Sequence, residues 1–430
     1  MINTNDLPKG ASYELRTERT KGSNVRYEGN QFDRVSSADQ ISLTARVISD
    51  GKISTAGGSK PGSGDELISK ASAMVAYGSP CDVPFVGKTD IKPLNLFSEE
   101  TLGSKQMIEM MGDFVEEIRS LDDRLTAGGR LSTSIADVTL ETSNGFNNSY
   151  RKSVWTFEAF FNLMQGDDLL HIYDFIRDIK PSFDLAGMKE SFKNKLEHAK
   201  NVVPMEPGSF PVIFAPGEVG NIINPIVASL NGQAIYRKIS PWSEKLGEEL
   251  LDKRFSLIDD GSFDGSYAAK PFDLEGTPTR RYALVQDGRL EGIVLDRKVA
   301  GQLGKESTGN AGAAGPTPNY LQIAAGNKSL DEMISGIDYG LLIDDTMGAW
   351  SGNPFSGIVT GTVSMGLKIE KGKITGRVKD CMFSINAFEH FKKHLIECST
   401  ERKEMQSMFF AAGRFPYILL DEVVISTEKK

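Results

Sequence analysis

GIVTGTVSMGLKIEKGKITGRVKDCMFSI, residues 357–385, is the stretch whose reading decides the fold. Two runs rich in β-branched and apolar residues, 357–369 and 373–385, flank a Lys371-Gly372 turn signal. That arrangement predicts a pair of antiparallel strands. The pattern recurs upstream, where residues 281–286 and 290–295 flank Asp287-Gly288, and residues 417–425 form a closing strand. Few helical stretches intervene. The region from residue 206 to 430 is therefore expected to be a mostly antiparallel β domain, a curved sheet or partial barrel. Glycine agrees: 43 of 430 residues, concentrated after Gly208, exceed the ordinary share of about 7%. No period of 20–50 residues recurs, which argues against solenoids and propellers.

Toward the N-terminus, residues 210–214 read as an apolar strand and residues 217–230 as a helix interrupted by Pro225. Residues 202–208, with two prolines, are the best boundary in the chain. Residues 12–20 and 41–48 read as strands, and Asp50-Gly51 joins the second of them to residues 52–56 as a hairpin. A helix is expected over 65–77. A second is expected to be capped by Ser98, with Met107, Met110, Met111, Phe114, Val115 and Ile118 as its apolar stripe. Strands 131–141 and 150–164 flank Asn144-Gly145, residues 168–179 suggest a third strand, and residues 184–200 an amphipathic helix. The fold class read from this order is α+β. An N-terminal α/β sheet-and-helix region precedes the β-rich domain, with boundaries at 1–95, 96–205 and 206–430.

Composition limits the function. The chain is 39% apolar and 25% charged, with 49 basic against 58 acidic residues and a net charge of -9. An acidic surface argues against nucleic acid and anionic membranes as partners, because both require basic patches. No run of about 18 apolar residues is present, so no bilayer-spanning helix is expected. Residues 1–10 lack an apolar signal region, and Cys81, Cys381 and Cys398 are too few and scattered for a disulfide framework. The expected compartment is the cytoplasm.

Several constellations could carry chemistry. His390 and His394 stand four apart on a helix expected over 387–398, with Glu397 and Cys398 one turn further along. The alternative is a solvated amphipathic helix, and Lys392 and Lys393 beside the imidazoles would repel a cation. Gly309, Gly312 and Gly315 lack the spacing and the following helix of a phosphate-binding loop. They suit a conformationally special loop lining a cleft. Asp259-Asp260 and Asp344-Asp345 read as turn formers before acid-base pairs. Trp242 and Trp350 fit core packing as well as exposed anchoring. No residue is assigned a catalytic role.

Taken in order, several motifs resemble the TldD/PmbA family, historically called modulator of DNA gyrase. They are Pro211-Val-Ile-Phe-Ala-Pro-Gly, Lys270-Pro-Phe-Asp-Leu-Glu-Gly-Thr-Pro-Thr-Arg-Arg, Asp287-Gly-Arg-Leu-Glu-Gly, Ser307-Thr-Gly-Asn-Ala, and the Ser356-Gly357, Gly361 and Glu370 to Lys373 positions. The match is strongest over residues 211–425 and weak over the first 200. The family contains zinc-dependent peptidases and their partner subunits. Its peptidase subunit carries His-Glu-x-x-x-His on the helix after the strand beginning at Pro211. Here that motif falls on Asn224, Pro225, Ile226, Val227, Ala228 and Ser229, so both histidines and the glutamate are replaced. The family's further cysteine ligand lies near the C-terminus, and residues 404–416 contain no cysteine.

The resemblance therefore implies a PmbA/TldE-like subunit with no metal and no cofactor of its own, paired with a TldD-type peptidase that holds the zinc. The complex would process peptides or unfolded small proteins. The expected peptide-binding residues are Arg280, Arg281, Thr308, Gly309, Asn310 and Gly312. An extended peptide is gripped through its backbone, which needs close approach and donors for carbonyls or a terminal carboxylate. A homodimer stays open. So do a stand-alone peptide-binding or regulatory protein and a peptidase with its metal site relocated to His390 and His394.

Overall fold

The computed structural model describes residues 7–166, 168–405 and 412–427. The chain forms two compact units. The first comprises Met1–Phe192, Asp264–Thr279 and Gly304–Ala311; the second comprises Lys193–Phe263, Arg280–Leu303 and Gly312–Lys430.

The first unit is built on one antiparallel sheet. Its strands are β1 (Ser12–Glu28), β2 (Gln31–Ser49), β3 (Lys52–Gly58), β4 (Ser79–Pro80), β5 (Leu125–Thr142), β6 (Asn147–Gln165) and β7 (Asp168–Asp178), in the order β4-β3-β2-β1-β5-β6-β7. The β2–β3 turn uses Asp50 and Gly51 at φ 48° and 69°, the paired positive values that the right-handed twist of a two-residue hairpin demands. Helices α1 (Gly64–Met74) and α2 (Ser104–Arg119) lie beside the sheet, and α3 (Leu185–Ala199) begins in this unit and passes into the second at Lys193. Leu67, Ile68 and Ala71 of α1 are buried with Leu15, Leu43 and Val47. Phe114 of α2 meets Phe157 edge-on at 5.1 Å. Ser98 is not the cap of α2. Its hydroxyl accepts from the Glu100 amide, and the helix begins at Ser104, where the Gln106 side chain accepts from the Gly103 amide at 2.9 Å.

The second unit contains β8 (Gly208–Phe214), α4 (Pro216–Ser229), α5 (Gly232–Tyr236), β9 (Leu257–Asp260), β10 (Arg281–Gln286), β11 (Arg289–Leu290) and α6 (Arg297–Gln302). After a short ladder of β12 (Ala311–Gly312) and β13 (Gly315–Pro316) come β14 (Leu321–Ile323), α7 (Leu330–Ser335), β15 (Tyr339–Met347) and β16 (Ile358–Glu370). The chain ends with β17 (Lys373–Val378), β18 (Cys381–Asn386), α8 (Ala387–Glu389), β19 (Leu395–Met405) and β20 (Gly413–Thr427). The order β20-β18-β16-β15-β8 closes on itself because β8 also pairs with β20, which makes a five-stranded barrel. It is mixed: β8 runs parallel to β15 and antiparallel to β20. The barrel core is apolar, with Phe214 and Phe383 meeting edge-on at 5.3 Å.

Three local expectations are corrected. Residues 373–385 are two strands, because Asp380 turns the chain at φ 54°. β17 pairs with the end of β16, and β18 pairs with its beginning. The partner of β10 is only two residues long, since after Leu290 the amide of Gly292 bonds back to the Leu284 carbonyl. The helix expected over 387–398 ends as a wide turn at His394. Leu395 is extended, so Glu397 and Cys398 lie on β19 rather than one helical turn beyond the histidines.

Candidate functional site

Helix α4 carries the three positions singled out by motif. β8 delivers the chain to it from the barrel wall, and Pro216 occupies the first helical turn, where its fixed φ suits a helix start and its missing N–H costs nothing. Val219, Ile222, Ile223, Ile226 and Val227 are buried in the barrel-domain core. That packing explains why the expected interruption at Pro225 does not occur: α4 runs unbroken to Ser229 with the proline inside it. A proline there removes one helical donor and crowds the preceding turn, a cost of about 3 kcal/mol in an exposed helix. Burial of five large apolar side chains at about 1.5–3 kcal/mol each outweighs it.

Of these side chains, that of Ser229 is engaged within the helix. Ser229 is fully buried, and its hydroxyl donates to the Pro225 carbonyl at 2.7 Å. The Ser240 hydroxyl in turn donates to the Ser229 carbonyl at 2.7 Å. Pro225 has no donor atom, and Asn224 is half-buried with a neutral amide. Zinc takes thiolate, imidazole or carboxylate. The set Asn224, Pro225 and Ser229 does not fit a zinc ion.

Nearly two turns before Asn224 stands a strongly perturbed carboxyl. Glu218 is 4% exposed. One oxygen accepts from the Thr346 amide at 3.0 Å; the other accepts from the Thr346 hydroxyl at 2.6 Å and the Asn221 amide at 3.0 Å. Burial pushes its carboxyl up to about 7, against the pull of those donors, with Asp345 adding a small push the same way. Both oxygens are occupied, so Glu218 pins α4 to β15 and does not face a substrate. The sequence signal was an acid in the first turn after a helix-starting proline, and it passed unremarked because its partner lies far along the chain.

The histidine pair offers little to a metal. The rings of His390 and His394 are 5.2 Å apart between centroids. Nδ1 of His390 lies 2.9 Å from the Asn386 carbonyl and Nε2 lies 3.2 Å from the Glu422 carbonyl, so both nitrogens face backbone. Among the described residues no group of three or more His, Cys, Asp or Glu side chains is placed to hold a metal ion. Of residues 404–416, where the family's further cysteine would fall, 406–411 lie outside the described residues.

The acidic pairs act as local organisers. Asp259 is fully buried and accepts from the Asn319 and Tyr320 amides at 2.9 Å each. Asp260 pairs with Arg281 at 2.9 Å, and Asp344 with Lys195 at 2.7 Å. The expected peptide-binding residues fall in different units. In the first, Thr308, Gly309 and Asn310 are buried. Gly309 has φ 76°, and a Cβ there would collide with the Pro278 carbonyl. The adjoining segment is held by Asp273, which is fully buried and accepts from the amides of Glu275, Thr277 and Ala311 at 2.8–2.9 Å. In the second, Arg280 and Arg281 are exposed, with the Arg280 guanidinium 5.6 Å above the Tyr282 ring. Gly312 is half-buried beside Thr317. Trp242 is buried against Phe388, whereas Trp350 is 42% exposed.

The sequence profile of the PmbA/TldA metallopeptidase C-terminal domain matches residues 207–427, and that of PmbA/TldA metallopeptidase domain 1 matches residues 13–75. The chain belongs to the PmbA/TldD metallopeptidase family. A metalloprotease of Methanothermobacter thermautotrophicus is 24% identical over 403 residues, covering 88% of this chain and 86% of that protein. A metalloprotease PmbA homologue of Haemophilus influenzae is 24% identical over 382 residues, covering 85% and 82%. The crystal structure of TldE from Thermococcus kodakarensis superposes with a TM-score of 0.89 at 24% identity, covering 96% of each chain, and so shares the fold. This PmbA/TldD chain has no helix, among the described residues, long and apolar enough to cross a membrane.

Proposed function

We propose that this chain is a PmbA/TldE-like, non-catalytic subunit of a TldD-type zinc metallopeptidase complex that processes small proteins or peptides in the cytoplasm. The observation that carries the reading is the donor set on α4. Where the resemblance expects two imidazoles and a carboxylate, the chain has Asn224, the donorless Pro225 and a Ser229 whose hydroxyl bonds its own helix. A catalytic zinc needs three good ligands, an open position and a base to take the proton of its water. The zinc accordingly belongs to a TldD-type partner. This chain contributes shape and peptide contacts, with Arg280, Arg281, Thr308, Gly309, Asn310 and Gly312 as the proposed peptide-binding residues.

The test is reconstitution. The chain alone, the zinc-motif partner alone and the two together are assayed for hydrolysis of an unfolded protein, with metal measured on each sample. The expected result is zinc only with the partner and full hydrolysis only with both. Hydrolysis and stoichiometric zinc in this chain alone would overturn the proposal.

A further inference from the structure

The barrel domain's sheet continues past the barrel through β14, β9 and β10, and one face of that extension is polar where its reverse is core. In register, Gln322 of β14 lies beside Arg414 of β20, and Arg414 lies opposite Glu404 of β19. Side chains at every second position share a face, so Arg402 joins this row diagonally and Tyr320 joins it one step along. The reverse face carries Leu321, Ile323 and Phe415, all fully buried.

The charges on this face are unbalanced. The carboxylate of Glu404 accepts from the Tyr320 hydroxyl, and Phe263 stacks on the Tyr320 ring at 5.5 Å. Arg402 and Arg414 are half-buried, and among the described residues neither guanidinium forms an ion pair with a carboxylate. Arg402 makes one long bond, 3.3 Å, to the Ile323 carbonyl. Burial, and then the like charge of Arg414, hold Arg402 below the usual arginine range. Two adjacent guanidiniums facing one carboxylate, Glu404, leave one positive charge over, which is costly in a half-buried setting. A second, independent feature points the same way. Gln322 is 6% exposed, and its amide nitrogen has no acceptor. Unmet buried donors cost about 1–3 kcal/mol each. Two guanidiniums and an unpartnered amide N–H share this row with a single carboxylate, Glu404, whose second oxygen also has no hydrogen-bond partner. The excess of donors suits a further planar anion, and guanidinium forks match a carboxylate in two-point contact.

We propose that this face is a carboxylate-binding site, in which Arg402, Arg414 and the Gln322 amide hold a carboxylate of a bound peptide. The site goes beyond the subunit reading, since it is complete within this chain and needs no partner. The carboxylate is either the peptide's C-terminus or an acidic side chain.

Binding to the full chain alone is measured by calorimetry with three probes: acetyl-tetraalanine with a free C-terminus, its C-terminal amide, and amidated acetyl-Ala-Ala-Glu-Ala. At least one carboxylate-bearing probe should bind tenfold or more tightly than the neutral amide, and which one does so names the source. The preference should shrink in high salt, as screening requires. Arg402→Gln and Arg414→Gln should each lose it, Arg414→Lys should retain part, and the remote surface change Lys245→Gln should leave it intact. Equal binding of all three probes, or no binding of either carboxylate at millimolar concentration, overturns the site using the unmodified chain. So does an undiminished preference in both glutamine variants. Failure of reconstitution with a zinc partner would leave these measurements unaffected, so the two proposals fail separately.

Discussion

The hydroxyl of Ser229 donates to the carbonyl of Pro225, one turn back along α4, at 2.7 Å. Both residues are buried, so the turn on which the family resemblance expects a metal ligand and a base is closed on itself. Replacing Asn224→His, Pro225→Glu and Ser229→His together should therefore not produce a peptidase. A buried serine site has no room for an imidazole aimed outward, and outer-shell support for zinc ligands costs 10–100-fold when missing. Hydrolysis of an unfolded protein by the purified triple variant would contradict this.

Glu218 makes stability depend on pH in an unusual direction. Its folded carboxyl titrates near 7, above the value of about 4.3 expected when unfolded. The folded state therefore binds more protons between those values, and its contribution is full below about pH 4 and lost as pH rises through 7. The size is on the order of 3 kcal/mol. The thermal midpoint of the wild-type chain should fall from pH 5 to pH 8, and Glu218→Gln should flatten that slope. An unchanged slope in the variant would assign the effect to other groups.

Asp273 replaces three missing backbone partners at once. Asp273→Ala leaves the amides of Glu275, Thr277 and Ala311 without their acceptor, at a cost of about 3 kcal/mol or more. Denaturant unfolding should show that loss, whereas a shift under about 1 kcal/mol would mean the loop finds other acceptors. Gly309→Val should be equally damaging, because φ 76° and the Pro278 carbonyl leave no place for a side chain.

Arg280 tests the peptide contacts more cleanly. It is exposed, and its recorded contact is the Tyr282 ring at 5.6 Å, worth about 0.5–1 kcal/mol. Arg280→Ala should barely move the unfolding midpoint while lowering turnover by the reconstituted complex severalfold. Unchanged turnover would remove Arg280 from the peptide path.

What could be read in advance followed from how local each signal is. Asp50-Gly51, Asp287-Gly288 and Lys371-Gly372 all adopt positive φ at both positions, a demand that two adjacent residues announce by themselves, and so the hairpins were visible. Closure of the barrel was not visible, because it depends on β8 pairing with β20, some two hundred residues away. Pro225 misled for the same reason: local propensity ends a helix there, and burial of α4 overrides it. The carboxyl of Glu218 is raised by burial, with Thr346 and Asp345, far along the chain, acting on it in opposite directions, and the polar face of Gln322, Arg402 and Arg414 is assembled from three strands. Neither has a spacing that a linear motif records. The Asn224, Pro225 and Ser229 positions were legible only through family resemblance.

Metal content of the isolated chain tests the central claim most directly. Purified without chelator and dialysed against metal-free buffer, the chain should contain well under a tenth of a zinc ion per molecule by elemental analysis. About one zinc per chain, retained through dialysis and lost on His390→Ala or Asn224→Ala, would contradict a subunit that leaves the metal to its partner.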